Sequence, residues 1–223
     1  MNLLESERVR SFIRGKLLLS VPTPERRAAL TFDDGPSPRN TPALLDVLSR
    51  HRIRATFFLV GRNVRRFPGI VTRIAGEGHE IGNHSEHHLF LPFLPTPLLR
   101  REIRTPAKRI EGLVGKRPRF FRPPMGWFSP RVLRVLAEEG FDPVIGSIHP
   151  QDSRRLPAER IEAYVMARIR PGSVVILHDG GRTPRTDRSG TVAAVDRIAG
   201  RLLAGGYRFE TLSELVGATE AKS

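Results

Sequence analysis

The stretch LTFDDGPSP, residues Leu30–Pro38, ends an apolar run with two adjacent carboxylates and a Gly-Pro turn. The run Ala28–Phe32 has the length and composition of a buried strand bounded by turn residues. Asp33 and Asp34 therefore stand at the carboxyl end of a strand, where parallel α/β sheets gather their ligands. Neighbouring carboxylates repel each other, so the pair indicates nearby positive charge that offsets them.

Short β-like runs alternate with amphipathic helical segments along the rest of the chain. This alternation is typical of α/β architecture, and barrels of about this length fold as a single domain. Seven strands in this order predict either a (β/α) barrel or a doubly wound sheet. The predicted strands are Ala28–Phe32, Ala55–Val60, His79–Gly82, Arg119–Arg122, Pro143–Ile148, Ser173–Leu177 and Tyr207–Glu210.

Two helix starts are visible in the sequence. Thr41-Pro42 and Ser129-Pro130 each combine an N-cap residue with proline at the first helical position. We therefore expect Thr41 and Ser129 to cap helices by accepting a backbone hydrogen bond.

The composition is that of a globular protein with a large positive charge. Hydrophobic residues make up 39% and charged residues 27%, which excludes a mostly disordered chain. The net charge of +14 suits an anionic polymer or an anionic membrane surface. We expect no nucleic acid partner, because no nucleic-acid-binding motif is present. The chain has no cysteine, which excludes disulfides, thiolate metal sites and a cysteine nucleophile.

Residues 1–25 form a separate N-terminal extension in our interpretation. Acidic residues stand early in it and its apolar core, Leu17–Val21, is short, so it does not resemble a secretory signal. We expect a helix packed on the domain, with attachment to a membrane surface as the alternative. The expected location is cytoplasmic or peripheral at the cytoplasmic membrane, and export by an unrecognised route stays open.

Histidines that suit a metal site follow the third predicted strand. The segment GNHSEHHLF contains His84, His87 and His88. The spacing of His84 and His88 places both rings on one side of a helix or tight turn. Catalytic zinc commonly takes three protein ligands, and two histidines with one aspartate of LTFDDGPSP would meet this need. The alternative is a pair of surface histidines.

Three more polar residues stand at predicted strand ends and therefore on the same rim. Arg122, in FFRPPMGWF, ends the fourth strand, and Asp152 follows the fifth. His178 ends the apolar run of SVVILHDGG, and its imidazole titrates near neutral pH as a general acid must. The alternative for His178 is a core histidine. We expect Asp179 to cap the next element.

Together, TFDDGP, NHSEHH, RPPMG, the Asp152 region and ILHD resemble, in order, the motifs of the polysaccharide deacetylases. These are the carbohydrate esterases of family 4, which have a NodB-type domain. The likeness spans about Arg26–Val216, so we assign residues 26–217 to this catalytic domain and 218–223 to a tail. It implies a distorted (β/α) barrel with about seven parallel strands. It also implies a divalent metal, Zn²⁺ first with Co²⁺, Mn²⁺ or Ni²⁺ as alternatives, and an acetylated amino-sugar glycan as substrate.

The resemblance also implies roles for individual residues. Asp33 would be the general base, and Asp34, His84 and His88 the metal ligands, with His87 not a ligand. Arg122 would orient the base, and Asp152, with Asp142 as the fallback, would tune His178, the general acid. The backbone N–H of Met125 would hold an oxyanion. The implied substrate-binding residues are Pro123, Gly126, Trp127 and Ile176.

Two positions depart from the family pattern. Ser153 stands where the family usually has Trp, and Ile176 stands where Leu often lines the acetyl pocket, so we expect a wider or reshaped acyl pocket. The expected activity is removal of N-acetyl groups from a peptidoglycan- or chitin-type glycan. The alternatives are a deacetylase or deformylase of a lipid-linked sugar, an O-acetyl xylan esterase, and a catalytically inactive carbohydrate-binding module.

Overall fold

The structure, a computed structural model, describes residues 17–220 and is built around one long central strand. This strand, β1 (Arg27–Gly35), is buried along almost its whole length, as expected for a parallel strand covered on both faces. The other strands are β2 (Thr56–Leu59), β3 (Glu80–Asn83), β4 (Phe120–Phe121), β5 (Asp142–Pro143), β6 (Ser173–His178) and β7 (Arg208–Phe209).

Helices separate the strands and cover the sheet. They are α1 (Asn40–His51), α2 (Gly61–Arg66), α3 (Pro68–Gly76), α4 (Thr96–Val114), α5 (Pro130–Glu138), α6 (Ala158–Arg168), α7 (Ser189–Ala204) and α8 (Leu212–Glu220). Within residues 17–220, three single turns of 3-10 helix lie at Leu91–Phe93, Pro124–Gly126 and Asp152–Arg154.

The seven strands form one parallel sheet that curls into a distorted barrel. Their order is β5-β4-β3-β2-β1-β6, and β7 pairs with β1. The segment after β5 returns to β6, where Ile148 bridges Val175 and accepts a 2.8 Å hydrogen bond from the Ile176 N–H. The predicted α/β barrel with seven parallel strands is therefore confirmed.

Helix α5 shows how a local pattern sets a local structure. The Ser129 hydroxyl accepts a hydrogen bond from the Val132 N–H at 3.3 Å, and proline follows at the first helical position, as predicted. The inner face of the helix is buried and comprises Val132, Leu133, Val135 and Leu136.

The capping predictions for Thr41 and Asp179 are wrong. Helix α1 begins at Asn40, and the Thr41 hydroxyl donates a hydrogen bond to the Asp179 carboxylate while accepting one from the Ser37 N–H at 2.7 Å. Asp179 is buried and serves this long-range contact instead of a helix start. The pair joins α1 to the segment after β6, a link that sequence spacing does not reveal.

The described part of the N-terminal extension, from Leu17 onward, is extended and not helical. Leu18 bridges Val144, and Ser20 bridges Ser173, so this segment lies along the edge where the barrel closes. The rest of the predicted helix, residues 1–16, lies outside the described residues, as do residues 221–223 of the tail. Between residues 17 and 220, no helix has the length and apolar character needed to cross a bilayer.

Candidate active site

Strand register brings the polar motifs to one end of the barrel. Asp33 on β1 pairs with His178 on β6, so the two residues are direct neighbours where both strands end. On the other side, Asn83 pairs with Phe121, which places His84 beside Arg122. The carboxyl ends of parallel strands thus collect the residues that the sequence analysis placed on one rim.

Asp34, His84 and His88 form a compact group of metal-ligand types. Their side-chain ligand atoms all lie within 4.8 Å of one another. Asp34 Oδ1 is 3.5 Å from His84 Nε2 and 3.1 Å from His88 Nε2. Asp34 and His88 have positive φ angles of 71° and 59°. Non-glycine residues adopt this left-handed conformation at an energetic cost that is common at functional sites.

This group fits a divalent cation on chemical grounds. His84 Nδ1 lies 2.6 Å from the Arg122 carbonyl oxygen, which can only accept, so Nδ1 carries the proton and Nε2 presents its lone pair toward Asp34. Asp34 Oδ1 is buried and has no hydrogen-bond partner within residues 17–220. Two facing acceptors repel unless a cation lies between them, and two imidazoles with one carboxylate are a common set for catalytic zinc.

The environment keeps Asp34 ionised. Burial alone would raise the pKa of its carboxyl. Without a metal ion, however, the imidazoles of His84 and His88 can donate protons to Asp34, and this outweighs burial and holds that pKa well below its usual range. The carboxylate form that binds a metal is therefore present at neutral pH.

Asp33 has a different partner from Asp34. Arg122 Nη1 donates hydrogen bonds to Asp33 Oδ1 at 2.6 Å and to the Thr31 hydroxyl at 2.8 Å. The guanidinium is buried and packs over the Phe58 ring, 4.0 Å from its centroid. Arg122 therefore fixes the direction of the Asp33 carboxylate and offsets its charge.

His178 and Asp152 form a buried pair on the opposite side. His178 Nδ1 donates to Asp152 Oδ1 at 2.8 Å, and the His178 backbone N–H donates to Oδ2 at the same distance. Burial lowers the pKa of His178, but the hydrogen bond and charge of Asp152 more than compensate and raise it to about 9. The ring is therefore an imidazolium near neutral pH, with a proton available at Nε2. Asp142, the fallback, is exposed and pairs with Arg119 instead.

The metal-ligand group opens into a cleft of about 570 Å³. Its lining includes Asp34 and His88 together with Met125, Arg62 and Arg182.

Comparison with known proteins identifies the family. The family model described as polysaccharide deacetylase matches residues 20–144, which is more than half of the chain. The chain belongs to the polysaccharide deacetylase family. A peptidoglycan-N-acetylglucosamine deacetylase of Bacillus cereus is 41% identical to it, over 91% of this chain and 93% of that protein. A chitooligosaccharide deacetylase of a Bradyrhizobium species is 37% identical, over 85% of this chain and 90% of that protein.

Solved structures agree with this assignment. A crystal structure of a peptidoglycan N-acetylglucosamine deacetylase in complex with a benzamide compound superposes with a TM-score of 0.88 and 37% sequence identity. The similarity covers 92% of this chain and 95% of that chain. The deacetylase described here thus shares both fold and sequence with proteins of this family over nearly its whole described length.

The predicted substrate-binding residues of this deacetylase lie in different environments. Met125 is 57% exposed with a φ of 60°, and Gly126 and Trp127 are also exposed. Pro123 is buried, and its carbonyl oxygen accepts a 3.1 Å hydrogen bond from the Gly126 N–H. Ile176 is buried within β6, 8% exposed. Pro123 therefore shapes the turn that presents Met125, whereas Gly126 and Trp127 are accessible to a ligand.

His87 is held away from the metal-ligand group, as expected for a residue that is not a ligand. Its Nδ1 lies 2.6 Å from Glu102 Oε1, and its backbone N–H donates to Glu102 Oε2 at 2.8 Å. Glu102 on α4 is buried, so it fixes the turn between His84 and His88. The sequence analysis did not identify Glu102 because it lies in the middle of a helix pattern.

Arg188 and Thr191 support Asp152 and were missed by the sequence analysis. The buried Arg188 side chain donates to the carbonyl oxygens of Gly180 at 2.8 Å and Ser153 at 2.8 Å. Thr191 donates its hydroxyl to Asp152 Oδ2 at 2.9 Å. Ser153 itself is exposed, so it provides no aromatic wall at this position.

His149 is a further neighbour of His178 and Asp152 that the sequence analysis did not identify. Its ring centroid is 5.8 Å from that of His178, and burial together with the charge of His178 lowers the pKa of His149. His149, Asp152 and His178 also lie close enough together to be considered as metal ligands. However, both Asp152 oxygens already accept hydrogen bonds from His178, which favours proton chemistry at this group over metal binding.

Aromatic rings lie beside the segment that carries His84 and His88. Phe90 lies 5.0 Å from Phe93 and 5.9 Å from Trp127, measured between ring centroids. Phe93 is 86% exposed and Trp127 is 43% exposed. The low aromatic content of the sequence hid this group, because the rings come from two segments that meet only in the fold. Sugar rings pack on such surfaces.

Proposed function

We propose that this deacetylase removes N-acetyl groups from amino sugars of a peptidoglycan- or chitin-type glycan, with Asp33 as general base and His178 as general acid. The relatives that act on peptidoglycan N-acetylglucosamine and on chitooligosaccharides support this substrate class. The observation that carries the proposal is that Asp33, Asp34 and His178 lie at one rim of the barrel and each has a different partner. Asp33 accepts a hydrogen bond from Arg122, Asp34 faces two imidazoles, and His178 donates a hydrogen bond to Asp152, which stabilises its protonated ring.

Members of the family are metal-dependent, and Asp34, His84 and His88 would hold the ion. When bound, a divalent metal supplies a Lewis acid that polarises an acyl carbonyl and makes water more acidic at neutral pH. We propose Zn²⁺ as that metal, because the two imidazoles and one carboxylate match its preferences.

Asp33 would accept a proton in this reaction. Arg122 occupies its Oδ1, which leaves Oδ2 to take a proton from the attacking water. The buried guanidinium keeps its charge and holds the carboxylate in one orientation.

His178 would give a proton to the departing amine. Its Nδ1 is bound to Asp152, so the transferable proton lies on Nε2. Since β1 and β6 pair at Asp33 and His178, the base and the acid lie on adjacent strand ends.

The backbone of Met125 completes the proposed site. This residue lines the cleft beside Asp34 and His88, and its left-handed conformation turns the chain there. Its N–H would stabilise the developing oxyanion, so its side chain, which is exposed, has little influence on the reaction.

The test is acetate release from N-acetylglucosamine oligomers by zinc-loaded protein. Asp33→Asn and His178→Ala should each lower kcat by about 100-fold or more, because each removes a proton-transfer group. Asp142→Asn, which changes an exposed carboxylate away from the site, serves as the control and should retain full activity.

Other outcomes of the same screen would overturn the proposal. Release from acetylated xylan alone would identify an O-acetyl esterase, and release from a lipid-linked amino sugar alone would identify that class of substrate. No release from any of them, with the oligomer still bound, would identify a carbohydrate-binding module. Attachment to an anionic membrane surface stays a prediction, which co-sedimentation with anionic vesicles would test.

A further inference from the structure

A strongly basic cleft adjoins the proposed active site. It has a volume of about 430 Å³, and its lining includes four arginines, Arg62, Arg65, Arg66 and Arg182, but no acidic residue. Arg62 and Arg182 also line the cleft that contains Asp34. The two clefts therefore adjoin at these residues, so a polymer bound at the metal-ligand group could extend toward the basic one.

Most of these arginines lack protein partners. Within residues 17–220, the side chains of Arg62, Arg65 and Arg182 make no ion pair or hydrogen bond, and all three are exposed. Arg66 packs over the Phe67 ring at 5.3 Å. By contrast, the exposed Arg104 on α4 pairs with Glu139 at 2.6 Å. Clustered cations without counter-charges repel one another and attract anions.

One wall of the basic cleft is tied to the metal-binding segments. Helix α2 carries three of the arginines, and its Asn63 side chain donates to the Asp34 carbonyl oxygen at 3.0 Å. The backbone N–H groups of Gly61 and Arg62 donate to Ser85 at 2.9 Å and to Glu86 at 3.0 Å. The arginines of α2 therefore have a fixed position relative to Asp34.

The other wall is tied to the catalytic segments. Arg182 lies in the segment that follows β6, and within this segment the Gly180 N–H donates to the Asp33 carbonyl oxygen at 3.2 Å. Arg188 holds Gly180 from the other side. An anion bound between Arg62 and Arg182 would consequently sit at a defined distance from the reacting acetyl group.

We propose that this cleft binds carboxylate groups carried by the glycan next to the acetylated sugar, so that the deacetylase prefers a carboxylated amino-sugar polymer to a neutral one. This inference rests on the proposed function. Guanidinium groups bind carboxylates through paired hydrogen bonds, which a neutral chitin-type strand cannot offer. In peptidoglycan the carboxylate can come from the lactyl ether of the neighbouring sugar or from attached peptides.

The experiment compares kcat/KM for three substrates of matched length: chitin oligomers, peptide-free peptidoglycan strands and peptide-bearing strands. The variant Arg62→Ala/Arg182→Ala should lower the ratio of kcat/KM on carboxylated strands to that on chitin oligomers by roughly fivefold, since each exposed ion pair contributes modestly. Arg134→Ala/Arg160→Ala removes the same charge from exposed residues that line neither cleft and should leave the ratio unchanged. If the kcat/KM of the variant falls only on peptide-bearing strands, the bound carboxylates belong to the peptides. An equal fall on peptide-free and peptide-bearing strands would assign them to the sugar.

Equal ratios in the parent protein and the Arg62/Arg182 variant would overturn the inference. Equilibrium binding of fluorescent strands to the zinc-loaded protein separates it from the proposed function. Carboxylated strands that bind more weakly to the Arg62/Arg182 variant, without acetate release by any protein, would sustain the basic cleft and sink the proposed activity. Acetate release with the same strand binding and the same kcat/KM ratios in the parent protein and the Arg62/Arg182 variant would support the proposed activity. It would overturn the basic cleft as a binding site for carboxylates.

Discussion

Asp33 and Asp34 are adjacent in the chain but chemically different. Arg122 donates to Asp33, whereas Asp34 faces the imidazoles of His84 and His88. Each carboxylate thus has its own source of positive charge, which reduces the repulsion between them. The left-handed backbone at Asp34 turns its side chain to a different neighbour from that of Asp33.

Substituting Asp152 should change the pH profile. In Asp152→Asn the charge that raises the His178 pKa is lost and burial dominates, so the pKa falls from about 9 toward or below its ordinary 6.5. Because catalysis needs the protonated ring, activity in the parent protein is lost as pH rises through about 9, and in the variant at a lower pH. At pH 8 the protonated fraction drops roughly 30-fold.

The measurement is kcat for acetate release between pH 5 and 10. Asp142→Asn provides the matched control, since its carboxylate pairs with Arg119 at the surface, and its profile should follow the parent protein. An alkaline limb that stays in place in Asp152→Asn would show that Asp152 does not set the protonation of His178.

Metal content tests the ligand group. Asp34→Ala and His84→Ala should weaken zinc binding at least about 100-fold, because changes to groups that only orient ligands already cost about 10- to 100-fold. His87→Ala should retain zinc, since His87 is engaged with Glu102. Metal analysis after dialysis, with circular dichroism to verify folding, gives the answer. Full zinc content in a folded Asp34→Ala protein would exclude Asp34 as a ligand.

At the scale of elements, the contact between β1 and β6 positions the strand ends that carry Asp33 and His178. The N–H groups of Asp179 and Gly180, just after β6, both donate to the Asp33 carbonyl oxygen at 3.2 Å. The Asp179 carboxylate then accepts from Thr41 on α1. Two strand ends and one helix are thereby locked together directly behind the proposed base.

Close approach at Gly180 makes this contact sensitive to a single methyl group. A Cβ at this position would collide with the backbone of Asp34, which cannot move without displacing the proposed metal ligand. Gly180→Ala should therefore lower the free energy of unfolding by about 2 kcal/mol and weaken zinc binding as well.

Gly112→Ala is the contrasting variant. Gly112 lies inside α4 with open space around it, so alanine there should raise the free energy of unfolding by about 0.5 to 1 kcal/mol. Urea unfolding and zinc titration measure both variants. A Gly180→Ala protein as stable as the parent would mean that the rim tolerates separation of β1 from β6.

At the scale of the whole molecule, the segment from Leu17 onward belongs to the barrel. The Leu18 N–H donates to Pro143 at 2.9 Å, and the Leu18 carbonyl oxygen accepts from Ile145 at 3.0 Å. The Val21 N–H donates to Gly172 at 2.9 Å, and Val21 is buried. This segment therefore covers the edge at which β5 and β6 meet.

Two truncations test this view. Removal of residues 1–16 retains every pairing just described, so this protein is the reference for the longer truncation. Removal of residues 1–24 should lower the free energy of unfolding by about 2 kcal/mol, chiefly through exposure of Val21 and loss of the edge hydrogen bonds. Thermal and urea unfolding of both proteins decide the matter, and equal stability of the two would show that the edge does not need this segment.

The sequence by itself determined the α/β barrel, the Ser129 helix start, the polar motifs at strand ends and the approximate strand positions. The fifth strand is an exception, because it is Asp142–Pro143 and not the predicted Pro143–Ile148. These features depend on local periodicity and turn chemistry, which act between residues close in the chain. The family resemblance added the motif residues, and the fold brings Asp33, Asp34, His84, His88, Arg122, Asp152 and His178 to one rim.

Only the tertiary structure decided which distant residues meet. It placed Asp152 rather than Asp142 beside His178, joined Thr41 to Asp179, and gathered Phe90, Phe93 and Trp127 into one aromatic group. It also showed that the arginines of α2 face Arg182 without counter-charges. Such contacts depend on how helices and loops pack over the barrel, and packing between remote segments leaves no periodic pattern in a single sequence.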